Sequence, residues 1–401
     1  RFAEHSLREF KRAGVDLDEA TRTELKKIHE EMTRLAQDFD RNVREDVRSI
    51  ALAGQEALAG LPKDFVDAHK PGEDGKIRVN TSYPDFFPIQ TYAEDKELRR
   101  RLYNEFLLRG YPANKEILTR LLKLRWRYAK ALGYDSWAAY LAEDKMVRSA
   151  PAIDSFIKEL KEACAPKNAA DLEKLLERKR KDEPTAQAVQ MWDRFYYVGK
   201  VRAEDYDYDA QEARAYFSYP KVKAGIIDLY SELFGVEMVP LDSEPRWHED
   251  VEAYELREDG VRVAVFYLDM HPRDDKYQHA AMFPVHTGVE DGRIPRASLV
   301  CNFPNPEQGD GKALMEHSQV VTFFHEFGHL LHHLLSRGSP WAGLAGINVE
   351  WDFVEAPSQL LEEWAWDPGV LGGFATHADT GEPIPADLVK RMRAADELGK
   401  G

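Results

Sequence analysis

The residues best suited to chemistry lie in one short segment, His325-Glu326-Phe327-Gly328-His329. On a helix, histidines four residues apart share a face, so both imidazoles can reach one metal ion. Zinc in such a site lowers the pKa of a water molecule, and the adjacent Glu326 can take its proton. The pattern predicts one Zn²⁺ per chain, with Glu326 as catalytic base. Because Gly328 costs about 1 kcal/mol of helix propensity, a substrate or a neighbouring strand is expected to approach closely there.

Zinc needs a third protein ligand. The motif that places a third histidine ten residues after the first does not apply here, because that position is Leu335. His332 shares the metal-side face but is too close to His329 to close the site, so it is a candidate neighbour of the ligands. Apolar residues flank Glu355 and favour its burial, and a buried carboxylate needs a partner such as a metal. Asp352 could hydrogen-bond a ligand histidine or cap a helix. Spacing alone leaves five carboxylates open: Glu350, Asp352, Glu355, Glu362 and Glu363.

Apolar periodicity predicts a mainly α fold with a small β-sheet beside the zinc helix. The predicted helices cover residues 17–52, 97–107, 115–132, 149–176, 312–336, 352–366 and 386–398, and residues 188–235 are also compatible with helix. An extended segment is expected over 76–92, and short apolar runs predict three or four strands within 250–303. We divide the chain into a helical region, 1–235, and a zinc-binding catalytic region, 236–401.

Composition limits the class of protein. The 401 residues are 43% hydrophobic and 31% charged, which is typical of a globular protein with a sizeable core. A net charge of −16 argues against nucleic acid or an anionic membrane as the main partner. The start at Arg1 suggests a lost upstream segment. We expect a cytoplasmic protein, because no signal peptide is evident and Cys164 and Cys301 cannot form a disulfide framework.

Several segments together resemble the M3 family of zinc oligopeptidases. They are YPDFFPIQTY at 83–92, YLDMHPRDDKYQHAAMF at 267–283, LVCNFPNP at 299–306, and the zinc motifs FFHEFGHLLH and DFVEAPSQLLEEW. The resemblance implies a two-lobed helical body with a deep channel that admits short unstructured peptides. It also implies that the first region, 1–235, forms the wall of this channel. It also implies that His325, His329 and Glu355 bind zinc, and that the strand near 297–303 pairs with the peptide as an added strand.

The implied function is a metallopeptidase that cleaves internal bonds of short peptides. The alternatives are a dipeptidyl carboxypeptidase and a zinc-holding fragment that needs a complementary C-terminal polypeptide. Glu355 lies thirty residues after His325, one more than the family spacing, which an insertion around 338–346 would absorb. Family members continue well past Gly401, so we expect the catalytic region to be incomplete there. Tyr277, His279 and His271 are candidate channel-lining residues.

Overall fold

A computed structural model describes residues 2–290 and 292–400, and more than half of them lie in helices. They form two compact units, the first ending at Tyr197 and the second covering Val198–Lys400. The prediction of a mainly helical fold with a small sheet is confirmed. Among the described residues, no helix combines the length and apolarity that crossing a membrane requires.

The first unit consists of helices and one two-stranded sheet. Its helices are α1 (Phe2–Arg12), α2 (Glu19–Glu45), α3 (Lys63–Ala68), α4 (Tyr83–Tyr92), α5 (Lys96–Leu107), α6 (Ala113–Ala131), α7 (Trp137–Ala142) and α8 (Ala150–Asp182), and its strands are β1 (Ser49–Leu52) and β2 (Ile77–Asn80). Short 3₁₀ turns lie at Gln55–Leu58 and Met191–Asp193, and α9 (Arg194–Tyr206) continues into the second unit.

Two predictions for the first unit are confirmed only in part: α2 fills most of the helix predicted over 17–52, and β2 lies within the extended segment predicted over 76–92. The helix predicted over 17–52 ends at Glu45, and β1 follows, because Ile50 and Leu52 alternate with exposed residues and pair with β2. Residues 83–92 form helix α4 rather than an extended segment. Pro84 lies in its first turn, where a missing N–H costs nothing, and the carboxylate of Asp85 accepts a hydrogen bond from the Asn80 N–H at 2.8 Å.

The second unit contains a five-stranded sheet and the remaining helices. The strands are β3 (Glu237–Pro240), β4 (Glu252–Glu258), β5 (Val261–Asp269), β6 (Ala281–His286) and β7 (Arg296–Val300). The helices are α10 (Ala210–Arg214), α11 (Tyr219–Phe234), α12 (His317–Leu335), α13 (Glu355–Glu362), α14 (Pro368–Phe374) and α15 (Ala386–Asp396), with 3₁₀ turns at Ala342–Leu344 and Glu363–Trp366. Sequence reasoning missed β3 and α14.

The strand order is β3-β4-β5-β7-β6, with β7 parallel to β5 and all other pairs antiparallel. The expectation that the strand near 297–303 receives a peptide is therefore wrong. Strand β7 lies inside the sheet, where its backbone groups already pair with β5 and β6. The outer strand next to it is β6.

Helices α11 and α12 pack against this sheet, α14 packs against α11 and α15 against α14, and all four helices share one apolar core with the sheet. Val222 of α11, Phe266 of β5, Phe324 of α12 and Val389 of α15 belong to this core. Because α11 packs with the sheet, the compact units divide before it, whereas the sequence analysis divides the chain after residue 235. The roles assigned there to the two regions stay predictions.

Candidate metal centre

Helix α12 carries the HExxH motif and is fixed by its apolar face. The residues of that face are fully or almost fully buried: Val320, Phe323, Phe324, Phe327, Leu330, Leu331 and Leu334. At its start the side chain of Gln319 accepts a hydrogen bond from the Glu316 N–H at 2.9 Å, so the helix begins at His317 rather than near residue 312. Burial of one face leaves His325 and His329 directed at α13.

Three potential ligand atoms converge between α12 and α13. The Nε2 atoms of His325 and His329 each lie 3.0 Å from Oε2 of Glu355, the first residue of α13. Among the described residues, these three form the group whose ligand atoms lie close enough together for one metal ion. Two imidazole nitrogens and one carboxylate oxygen are the donor set of a common class of catalytic zinc site. The residues therefore fit the metal that the sequence motif implies.

Gly328 lets α13 approach α12 closely. A Cβ atom at this position would lie 2.9 Å from the Cα of Ser358 and 3.3 Å from Cδ1 of Leu361. The close neighbour is thus a helix, not the substrate or strand expected from the sequence. Since Glu355 stands one turn before Ser358, this contact sets the distance between the carboxylate and the two histidines.

Hydrogen bonds behind the ligands fix their orientation. Nδ1 of His325 lies 2.6 Å from Oε1 of Glu362, which leaves Nε2 to face Glu355. The hydroxyl of Ser358 lies 2.9 Å from the carbonyl oxygen of Glu355 and 3.2 Å from its Oε2, and it can donate its one hydrogen to either. The sequence analysis kept Glu362 as a candidate ligand and gave the supporting role to Asp352. The structure places Glu362 in that supporting role, while Asp352 lies in the turn before α13.

Glu326 lies in a confined position next to the ligands. Its side chain is buried, and Oε2 has no hydrogen-bond partner among the described residues. Burial raises the pKa of Glu326, and nearby Glu355 adds to this effect. Its neighbour His325 and the nearby backbone of Met282 in β6 lower this pKa and so act in the opposite direction. The carboxylate is therefore close to both the ligand set and the outer strand of the sheet.

The burial expected for Glu355 is not observed, since 51% of its side chain is exposed. The apolar residues beside it in the sequence do not enclose it, because α13 begins at Glu355 and its carboxylate projects from the first turn. Both His325 and His329 are less exposed than the carboxylate that they face. One side of the ligand set is open in the described part of the chain.

The other predicted site residues described next lie outside the ligand set. His332 is half-buried and close enough for its charge to oppose protonation of His329. His271 is buried, with Nδ1 3.1 Å from the Phe303 carbonyl, which is the position of a packing residue. Tyr277 and His279 are exposed on the segment between β5 and β6.

Sequence reasoning missed the supporting roles of Glu362 and Ser358 and the position of β6. A signal existed for the first two, because residues 355, 358 and 362 recur at helical steps of three and four. Pro284 was a local signal for the third, because a proline inside a strand is typical of a sheet edge.

Comparisons with known proteins identify the family. The profile described as Peptidase family M3 matches residues 89–401. The chain is 31% identical to the thimet-like oligopeptidase of Dictyostelium discoideum, over 99% of this chain and 62% of that protein. It is 30% identical to oligopeptidase A of Escherichia coli (98% and 60%) and 32% identical to dipeptidyl carboxypeptidase of Salmonella typhimurium (97% and 59%). It thus spans less than two thirds of each relative's length. This chain belongs to peptidase family M3.

Proposed function

We propose that the chain carries the catalytic centre of a zinc metallopeptidase that hydrolyses short peptides. The observation that carries the proposal is the convergence of His325, His329 and Glu355 beside the buried carboxylate of Glu326. Membership of a metallopeptidase family implies a metal, and the donor set favours one zinc ion per chain.

Zinc in such a site lowers the pKa of a water molecule and polarises the carbonyl of the scissile bond. In our proposal, Glu326 accepts the proton of the attacking water and delivers it to the leaving amine. Its Oε2 atom has no structural hydrogen bond among the described residues, so it is available for this proton. Burial raises the pKa of Glu326, which suits a carboxylate that holds a proton briefly and then releases it.

We place the substrate along the outer edge of β6. Backbone groups at a sheet edge can pair with an extended peptide, which binds as an added strand. Pro284 is typical of such an edge, because proline cannot donate to a neighbouring strand. Strand β6 packs against α12, and the backbone of Met282 lies close enough to Glu326 to lower its pKa, so this edge is close to the proposed base.

Cleavage of internal bonds is the proposed mode, and removal of C-terminal dipeptides is the second candidate, since one relative bears that name. Both modes use the same zinc chemistry and differ in where the cleaved bond lies relative to the end of the peptide. Fragment lengths therefore separate them. The predicted cytoplasmic location stays a prediction and enters none of these steps.

Cleavage of a defined ten-residue peptide, followed by mass spectrometry, tests the proposal. The zinc-loaded chain is compared with Glu326→Gln, with a chelator-treated sample, and with Glu363→Gln as the matched control. Glu363 is an exposed carboxylate that pairs with Arg393 at 2.9 Å, outside the ligand set. Cleavage by the wild type and Glu363→Gln, but not by Glu326→Gln or after chelation, is expected.

Internal fragments would establish the endopeptidase mode, and successive dipeptides the alternative. A chain that binds zinc but cleaves nothing would contradict activity of this chain alone. Activity that then appears on adding a complementary C-terminal polypeptide of a family member would assign the chain the role of an incomplete catalytic part.

A further inference from the structure

An exposed group of aromatic side chains lies on and beside β6. The ring of Tyr277 is 5.6 Å from that of Phe283 and 5.3 Å from that of His279. Tyr277 and Phe283 are each 43% exposed, although large aromatic side chains usually gain by burial. We call Tyr277, His279 and Phe283 the aromatic shelf.

The strand register shows on which face of the sheet the shelf lies. Phe283 pairs with Ser298 of β7, Ser298 pairs with Tyr267 of β5, and Tyr267 pairs with Ala253 of β4. Directly paired residues share a face, so these four residues form one row across the sheet. The row lies on the face opposite α12. Its neighbour Met282 pairs with Leu299, which lies in the core under α12. The row therefore ends with Phe283 at the outer edge of the sheet.

Hydrogen bonds hold the loop that carries Tyr277 in place. The buried ammonium of Lys276 donates to the carbonyls of His271 and Cys301 at 2.6 Å each, and to Asp269 Oδ1 at 2.8 Å. The side-chain amide of Asn302 donates to the Tyr277 carbonyl at 3.0 Å. These bonds tie the loop between β5 and β6 to the end of β7. The shelf is therefore a fixed surface.

We propose that the aromatic shelf is a specificity subsite for one substrate side chain, aromatic or large and aliphatic. This inference rests on the proposed function, in which a peptide adds to β6. A residue directly opposite Phe283 would extend the row across the sheet and place its side chain against the Phe283 ring. Alternate peptide residues point to opposite faces, so the neighbouring side chains point toward the zinc helix instead. Cross-strand aromatic and aliphatic pairs of this kind favour the matching side chain by roughly 2- to 10-fold.

Competitive cleavage of ten-residue peptides, randomised at one position at a time, tests this subsite. The wild type should prefer Phe, Leu or Ile over Ser and Asp at one position by roughly 2- to 10-fold. Phe283→Ala should lose this preference at that position alone, and Phe283→Leu should keep most of it. Phe156→Ala is the control, because Phe156 is an exposed aromatic residue on α8 of the other unit.

A variant that introduces a charge controls for loss of preference through misfolding. Phe283→Arg should turn the preference at the same position toward Asp and Glu, a gain that a damaged protein could not show. Unchanged preferences in Phe283→Ala and Phe283→Arg, with cleavage intact, would overturn the subsite. Tyr277→Ala should weaken the preference, and melting curves check that each variant is folded.

Failure of the subsite can be told apart from failure of the proposed function. If no peptide is cleaved, the proposed function fails for this chain, and peptide binding then tests the subsite. Fluorescently labelled peptides with Phe or Ser at the variable position are then titrated against the Glu326→Gln chain, with and without Phe283→Ala. Tighter binding of the Phe peptide that disappears with Phe283→Ala supports the subsite. Equal binding of both peptides refutes it.

Discussion

Gly328→Ala tests how the fold positions the third ligand. The new Cβ would lie 2.9 Å from the Cα of Ser358, whereas ordinary contacts begin near 3.4 Å, so α12 and α13 must separate by about 0.5 Å. The end of the Leu361 side chain can move aside, but Ser358 is contacted at its backbone. Separation therefore displaces α13 and moves Glu355 away from the histidines.

The size of the effect follows from two opposing contributions. Overpacking costs about 1–3 kcal/mol, and replacing a helical glycine by alanine returns about 1 kcal/mol. The metal-free protein should be less stable by about 0–2 kcal/mol. The zinc affinity should fall roughly 10-fold, because a ligand is displaced from its supporting contacts.

The assay combines urea unfolding of the metal-free protein with zinc titration against a competing chromophoric chelator. Gly199→Ala is the matched control, because Gly199 lies inside α9 and a Cβ there meets nothing within 4 Å. The control should gain about 0.5–1 kcal/mol and bind zinc like the wild type. If Gly328→Ala behaved like this control, the close approach of the helices would not set the position of Glu355, and the reasoning would be refuted.

Three further predictions concern the surroundings of the site. Glu362→Ala should weaken zinc binding roughly 10- to 100-fold in the same titration, because Nδ1 of His325 loses its partner; an unchanged affinity would contradict the role of Glu362. Burial lowers the pKa of His317 to about 4, although its hydrogen bond with the Ala365 carbonyl opposes this. The unfolded chain, with an ordinary pKa near 6.5, takes up that proton first, so stability falls as pH drops below about 6.5 and stops falling below about 4. Between pH 7.5 and 5.0 the loss should be about 2 kcal/mol by urea unfolding, and His317→Gln should reduce the pH dependence by that amount. Lys276→Met should destabilise the protein by about 1–3 kcal/mol in thermal or urea melts, because the carbonyl groups of His271 and Cys301 lose their buried donor while Asp269 keeps its ion pair with Arg273; an unchanged stability would contradict this reasoning.

The sequence predicted the parts of the site that depend on local spacing. His325 and His329 share a helix face because of their separation alone, and Glu326 is adjacent to the first. The role of Glu362 depends instead on how α13 crosses α12, and that crossing is set by contact between Gly328 and a residue on another helix. A spacing of three and four residues does not show which helix packs against that face.

The strands of the sheet were also predicted more fully than their arrangement. Alternating and apolar runs predicted strands β4 to β7, because the side-chain period of a strand is local. The order of the strands is not local. Strand β6 precedes β7 in the chain but lies outside it, since β7 pairs in parallel with β5. The predicted position of the peptide beside β7 was wrong for this reason.

We propose that His325, His329 and Glu355 together hold one zinc ion. Metal content by mass spectrometry, after dialysis against zinc and then against metal-free buffer, measures this binding. We expect one zinc ion per wild-type chain and per Glu363→Gln chain, and loss of zinc from His329→Ala and Glu355→Ala chains that remain folded by circular dichroism. Equal zinc content in all four chains would show that the metal binds elsewhere and would refute this ligand set.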